Sequence, residues 1–178
     1  LKKVIAQDNE IHPRHFYYFA RESQIIGDID TAIEYFLKFL EMPGDRPCHY
    51  TEACLQLASI YMERGDKKAA LRILTRSFEF EPMRAEVLCL IGQYYRLAED
   101  FATAIPWFEL ALAQTKPFTW EFIMHEYWDF IPCMELCHCY YWTGNHTKAQ
   151  EYHERARRLK PSDPGVIYNQ QFFNGITQ

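Results

Sequence analysis

Gly65-Asp66-Lys67-Lys68-Ala69-Ala70 belongs to a short pattern that recurs along this chain and decides its fold. A glycine followed by an aspartate favours a turn that ends one helix and caps the next. The spacing between copies stays near the roughly 34 residues that mark stacked helix pairs. The other copies are Gly27 to Ala32, Glu99 to Ala104 and Gly144 to Ala149.

Small residues occupy matching offsets on both sides of each turn. Where two helices cross closely, a small side chain lets the backbones approach while larger neighbours fill the surrounding space. The two series predict that the helices on either side of each turn pack face to face. The first series is Ala20, Ala58, Gly92 and Cys137, and the second is Ala32, Ala70, Ala104 and Ala149.

This arrangement resembles the tetratricopeptide repeat (TPR) family. The resemblance implies an all-α, right-handed superhelical solenoid of about four helix pairs with a C-terminal capping helix. We expect one TPR domain over residues 1–178, with the capping helix over about 164–174. The expected repeats are approximately 13–46, 51–84, 85–118 and 130–163.

Departures from the period indicate loops and insertions. Residues 42–47, with two prolines and a glycine, predict a loop. The insert 117–129 is too aromatic for a solvated linker, so we expect it to pack on the repeats, with Asp129 capping the following helix. Pro106 lies within a predicted helix, which it either kinks or delays so that Thr103 becomes the cap.

Composition narrows the classes of partner and compartment. A net charge of −5 argues against a nucleic-acid partner, which needs a basic face. No apolar run approaches the roughly 18 residues of a membrane span. The six cysteines form no spaced disulfide framework, which indicates a reduced, cytoplasmic protein.

Two groups of residues contain the side-chain types found in metal-binding sites. Asp28-Ile29-Asp30 matches a metal-holding pattern of sugar-nucleotide transferases, but it lies between two helices, where aspartates act as caps. Cys133, Cys137, His138 and Cys139 include metal-ligand types, but a helix turns Cys139 away from the other two cysteines. We therefore expect no catalytic residue, no metal site and no cofactor in this chain.

The first helices of successive TPRs line a concave groove that binds an extended protein or peptide segment. The alternatives are a groove filled by the aromatic insert, or one that is only hydrated surface. Lys and Asn do not occupy the offsets at which chaperone-binding members of the family hold a terminal carboxylate. The predicted groove residues are Tyr17, Arg21, Gln24, Ser59, Met62, Gln93, Arg96, Met134, His138 and Tyr141.

A second resemblance covers nearly the whole chain. The stretches 16–22, 127–132, 136–145, 161–164 and 168–173 are similar to the repeat region that follows the catalytic domain in bacterial family 2 glycosyltransferases. This implies the C-terminal, non-catalytic part of such an enzyme, which positions an acceptor or partner or mediates assembly. Its partner is then a protein or peptide, the upstream catalytic domain, or a second copy in a homo-oligomer. The alternative is a free-standing TPR adaptor that binds an extended peptide.

Overall fold

The computed structural model describes residues 12–116 and 123–176, and helices dominate both ranges. These ranges contain nine α-helices, two short 3-10 helices and no β-strand, which confirms the predicted all-α fold with a final helix. None of the described helices is long and apolar enough to cross a membrane. The α-helices are α1 (Pro13–Ile25), α2 (Ile29–Leu40), α3 (Pro47–Glu63), α4 (Lys67–Arg76), α5 (Ala85–Leu97), α6 (Phe101–Ala113), α7 (Phe130–Trp142), α8 (His146–Leu159) and α9 (Pro164–Ile176).

The recurring turn performs two capping functions at once. At the first copy, the Asp28 N–H donates to the Ser23 carbonyl at 2.9 Å, which closes the end of α1. The Asp28 carboxylate accepts the Thr31 N–H at 3.3 Å, which caps the start of α2. The same side-chain cap recurs at 3.0 to 3.1 Å from Asp66, Asp100 and Asn145.

The residue before each cap adopts a left-handed conformation. Gly27, Gly65 and Gly144 have φ angles of 82°, 77° and 80°, which glycine adopts without steric cost. Glu99 takes the same place with a φ of 59°, although it carries a side chain. The turn geometry is therefore kept even where the glycine is replaced.

The backbone divides into two compact units, Leu1–Pro82 and Met83–Gln178. In the first unit α1 pairs with α2, α3 pairs with α4, and α2 also packs on α3. Its core includes a stack of three rings. The Tyr50 ring centroid lies 4.7 Å from that of Phe39 and 4.8 Å from that of Phe80. Burial of such large rings supplies much of the hydrophobic stabilisation of the unit.

The loop between α2 and α3 ends one residue earlier than the sequence suggested. Helix α3 begins at Pro47, so this proline is the first helical residue and not part of the loop. Proline suits that position because its fixed φ is helical and its missing N–H has no intrahelical acceptor there. The loop itself contains Gly44, with a φ of 100°.

In the second unit α5 pairs with α6, α7 pairs with α8, and α9 packs on α8. A Cβ atom built on Gly92 would lie 2.8 Å from the Phe108 ring, so the small residue is required where α5 crosses α6. Helix α6 begins after Asp100 and includes Pro106. The expectation of a late start capped by Thr103 is thus wrong, because Asp100 already caps the first turn.

The described part of the aromatic insert packs on α5, as expected. We call residues 123–129 the strap. The Met124 N–H donates to Glu86 Oε1 at 3.1 Å, and the Cys89 thiol donates to the Tyr127 carbonyl at 3.5 Å. Asp129 caps α7 as predicted, while residues 117–122 of the insert lie outside the described residues.

Glu86 holds the strap through a buried charge. Its side chain is fully buried, and its Oε1 lies 2.9 Å from Nη2 of Arg84. The Arg84 side chain is itself only 11% exposed. Burial raises the pKa of Glu86, but hydrogen bonds and charge from Arg84 outweigh it, so that the pKa is held below its ordinary value. The carboxylate therefore stays ionised within the fold.

We expect Glu86→Ala to destabilise the protein by about 3–5 kcal/mol, because it leaves the Arg84 charge buried and the Met124 N–H without its acceptor. Chemical denaturation followed by circular dichroism measures this loss. Glu34→Ala is the control, since it removes only an exposed pair with Lys38 and should leave the midpoint unchanged. Equal midpoints for Glu86→Ala and the wild type would contradict the role given to the buried pair.

Candidate binding site

Four of the five predicted groove residues of the first unit are at least partly accessible. Arg21 and Ser59 are exposed, and Gln24 and Met62 are half-buried. Ser59 donates to Glu63 at 3.3 Å, one turn along the same helix.

Tyr17 requires a correction, because the structure places it in the core. Only 4% of the residue is exposed. Its ring centroid lies 5.4 Å from that of Phe39, and the ring stacks on His49 with a centroid distance of 5.6 Å. Burial, followed by the nearby Glu52 charge, raises the pKa of Tyr17 to about 12. Helix periodicity placed the residue on the inner face, but the ring is large enough to fill the space that α2 and α3 leave beside α1.

The predicted residues of the second unit do come together. A cavity of about 600 Å³ opens between α7 and α9, with the end of α5 at one side. We call it the aromatic pocket. It includes four of the five candidates predicted for this unit, and the fifth, Gln93, bonds to its wall. The lining residues are Arg96, Met134, Glu135, Cys137, His138, Tyr141, Trp142, Tyr168, Asn169, Phe172 and Phe173.

Helical spacing explains how α7 supplies so much of the wall. Residues three and four apart share one face of a helix. Met134, His138, Tyr141 and Trp142 follow this spacing along α7. Their face lies opposite α9, whose Phe172 ring is 5.1 Å from Tyr141 in an edge-to-face contact. The pocket is therefore walled by rings on two facing helices.

Two of the rings present open faces. Trp142 is 61% exposed and stacks by one face on Phe101, at 6.1 Å. Tyr168 is 68% exposed. The cavity is therefore bordered by exposed aromatic surface.

A charged group forms another part of the wall. Arg96 Nε lies 2.7 Å from Glu135 Oε2, and Gln93 Nε2 donates to Glu135 Oε1 at 2.9 Å. The Arg96 contact is an ion pair without an aligned hydrogen bond. Burial raises the pKa of Glu135 above its ordinary value, although Arg96 and Gln93 act in the opposite direction. The pair joins α5 to α7 beside the rings.

His138 connects the polar and aromatic parts of the pocket. The Trp142 indole N–H donates to His138 Nε2 at 3.1 Å, so the neutral ring carries its proton on Nδ1. Burial, followed by the Arg96 charge, holds the pKa of His138 below its ordinary value of 6.5. The histidine is therefore neutral near pH 7 and acts as an acceptor for the tryptophan.

Glu135 and the α9 residues were not predicted from the sequence as part of the site. The sequence identified 164–174 as a capping helix, and its aromatic residues contributed only to the resemblance. Glu135 has no charged neighbour in sequence that identifies its partner, since Arg96 is on another helix. Only the packing of α9 beside α7 shows that the capping helix forms a pocket wall.

The aspartates and cysteines of the two metal-site-like groups have structural roles. Asp28 caps α2, and Asp30 pairs with Arg64 at 2.6 Å. Cys133, Cys137 and Cys139 are buried free thiols. Burial raises their thiol pKa values to about 11, 11 and 12, so that they remain protonated.

The His138–Trp142 bond predicts a pH dependence. Because the folded pKa of His138 is depressed, its contribution to stability is present above pH 6.5 and is lost as the pH falls through the folded value. Protonation also removes the acceptor for the Trp142 indole. We expect the Trp142 indole N–H resonance in NMR spectra to shift with a midpoint below 6.5. His138→Gln is the control, and a shift that persists in it would contradict this assignment.

Comparisons with known proteins agree with the repeat assignment. Models of the tetratricopeptide repeat match residues 53–77 and 85–115. No curated protein matches the chain in sequence. The crystal structure of the MamA protein shares 21% identity, with a TM-score of 0.65, over 84% of this chain and 73% of its own.

Two further solved structures show the same fold. PilF of Pseudomonas aeruginosa has a TM-score of 0.68 at 12% identity, over 96% of this chain and 70% of its own. The first TPR of Spaghetti (RPAP3), bound to the HSP90 peptide SRMEEVD, has a TM-score of 0.59 at 13% identity, over 72% of this chain and 94% of its own. Identities this low establish likeness of fold. They agree with the tetratricopeptide repeats that the family models match at residues 53–77 and 85–115.

Proposed function

We propose that this chain is a protein-interaction domain that binds an extended segment of a partner at the aromatic pocket. The observation that carries the proposal is the cavity of about 600 Å³ between α7 and α9, with the partly exposed rings of Trp142, Tyr168 and Phe172 in its walls. Large, rigid aromatic side chains contribute much of the binding energy at protein interfaces. A partner supplies the apolar or aromatic side chain that fills the cavity.

The strap limits where a partner can bind in the second unit. Glu86 and Cys89 lie on the inner face expected for α5, but strap atoms already occupy their polar groups. Farther along the same helix, Arg96 remains partly exposed beside the pocket. Described residues of the insert thus cover the start of α5, and none of them lines the aromatic pocket.

The peptide-bound RPAP3 repeat structure supports this kind of function by analogy of fold. An extended peptide in a helical-repeat groove has its backbone solvated on one side, so its side chains provide most of the specificity. The aromatic pocket offers one deep subsite for such a side chain.

We expect Trp142→Ala and Tyr168→Ala each to weaken partner binding by about 1–3 kcal/mol, which is typical of aromatic anchors. Both side chains are more than half exposed, so the helical circular dichroism signal should not change. Binding is measured by fluorescence anisotropy with the peptides that a random peptide array selects. Ile26→Ala, at a residue that is 78% exposed in the first unit, is the control and should bind normally. Unchanged affinity in both pocket variants would refute the site.

We propose further, on the sequence resemblance, that the natural polypeptide continues upstream into a family 2 glycosyltransferase domain. An antibody raised against this chain should then detect a band in source-cell lysate that is larger than 21.3 kDa by a full catalytic domain. A band near 21.3 kDa would instead support the free-standing adaptor. Both outcomes are compatible with peptide binding at the aromatic pocket.

A further inference from the structure

The hydrogen-bonding groups that line the aromatic pocket differ in how far the protein itself already uses them. Glu135 is the acidic residue among its lining side chains, and both of its oxygens are engaged. Gln93 donates to Oε1, and Arg96 Nε lies beside Oε2. The carboxylate therefore has little capacity left for a ligand.

Arg96 retains donors that Glu135 does not use. A guanidinium carries five N–H groups in a planar fork, and the Glu135 contact is made through Nε. Among the described residues, neither Nη1 nor Nη2 of Arg96 donates a hydrogen bond, and its ion pair with Glu135 is shortest at Nε. The side chain is 26% exposed at the pocket, so these groups can reach a bound ligand.

The other polar groups of the pocket do not supply a competing negative charge. His138 Nε2 already accepts from Trp142. Asn169 Nδ2 is directed to the Cys137 sulfur at 3.8 Å. Arg96 is thus the positively charged donor of the pocket, beside the neutral hydroxyls of Tyr141 and Tyr168 and the amide of Asn169.

We propose that the aromatic pocket selects a partner segment in which a carboxylate side chain accompanies the apolar anchor, and that Arg96 Nη1 and Nη2 receive this carboxylate. Glu135 is a positioning residue, because it fixes the guanidinium through Nε and leaves the outer edge of the fork free. A carboxylate matches two parallel N–H donors in a bidentate contact. This inference rests on the proposed function and specifies the partner's chemistry.

Because Arg96 and the rings line the same cavity, one extended segment can contact both. Side chains two residues apart lie on the same side of an extended chain, about 7 Å apart. An anchor between the rings and a carboxylate on Arg96 therefore fit an aromatic residue followed, two positions later, by Glu or Asp.

A cationic anchor is the competing ligand, since ammonium and guanidinium groups bind aromatic faces. The Arg96 charge opposes it at this site. Glu135 is already paired with Arg96, so a cation at the rings would have to compete with Arg96 for the same carboxylate. The charges of the pocket thus favour an acid over a base.

The test uses three fluorescein-labelled, acetylated decapeptides that differ at one position: Gly-Ser-rich chains containing Trp-Gly-Glu, Trp-Gly-Gln or Trp-Gly-Lys. Anisotropy titrations are made with the full chain and with the variants Arg96→Gln and Arg72→Gln. Arg72 is exposed on α4 and serves as the matched control. We expect the Glu peptide to bind about tenfold more tightly than the Gln peptide, with the Lys peptide weakest.

The Arg96→Gln variant should abolish the preference for Glu over Gln, while Arg72→Gln keeps it. Because the change from Glu to Gln is made in the peptide, the result does not depend on whether a protein variant folds. Equal binding of all three peptides, or tightest binding of the Lys peptide, overturns the carboxylate assignment and leaves peptide binding intact. A preference for Glu that survives in Arg96→Gln also overturns it. No binding by any of the three peptides overturns this inference, whereas the proposed function is decided by the array-selected peptides and the Trp142→Ala and Tyr168→Ala variants.

Discussion

The fold depends on a turn in which one residue serves two helices. At each copy the main-chain N–H of an Asp or Asn closes the preceding helix, and its side chain caps the next. Helix ends otherwise leave backbone donors and acceptors without partners. Because this geometry fixes the direction of both helices over a few residues, it also fixes where the small residues of each pair meet. The contact of Gly92 with Phe108 is one result of that register.

The irregular segments determine which surface remains available. A uniform array would expose equivalent positions on every first helix. Here the strap occupies the start of α5 through Glu86, and Tyr17 fills the core of the first unit. The open aromatic surface is consequently concentrated between α7 and α9. A cavity in that position combines a repeat helix with the terminal helix, so the helix that ends the array also contributes to the site.

The charge arrangement at the pocket follows from burial. Glu135 is mostly buried, and an unpaired buried carboxylate is costly, so Gln93 and Arg96 are required beside it. The same contacts orient the guanidinium. Structural stabilisation and the proposed ligand selection thus involve the same residues, with Arg96 shared between the two roles.

The sequence by itself determined the helix pairs, because capping turns and small crossing residues act over short distances. It also identified Arg96 on α5 and Met134, His138 and Tyr141 on α7, since helical periodicity places each of them on the predicted inner face of its helix. Tertiary structure decided the rest. Tyr17 became a core residue because α2 and α3 cover it, and Pro47 joined a helix because its fixed φ suits the first turn. The Arg96–Glu135 pair and the α9 wall depend on residues from different helices, and local patterns do not specify such distances.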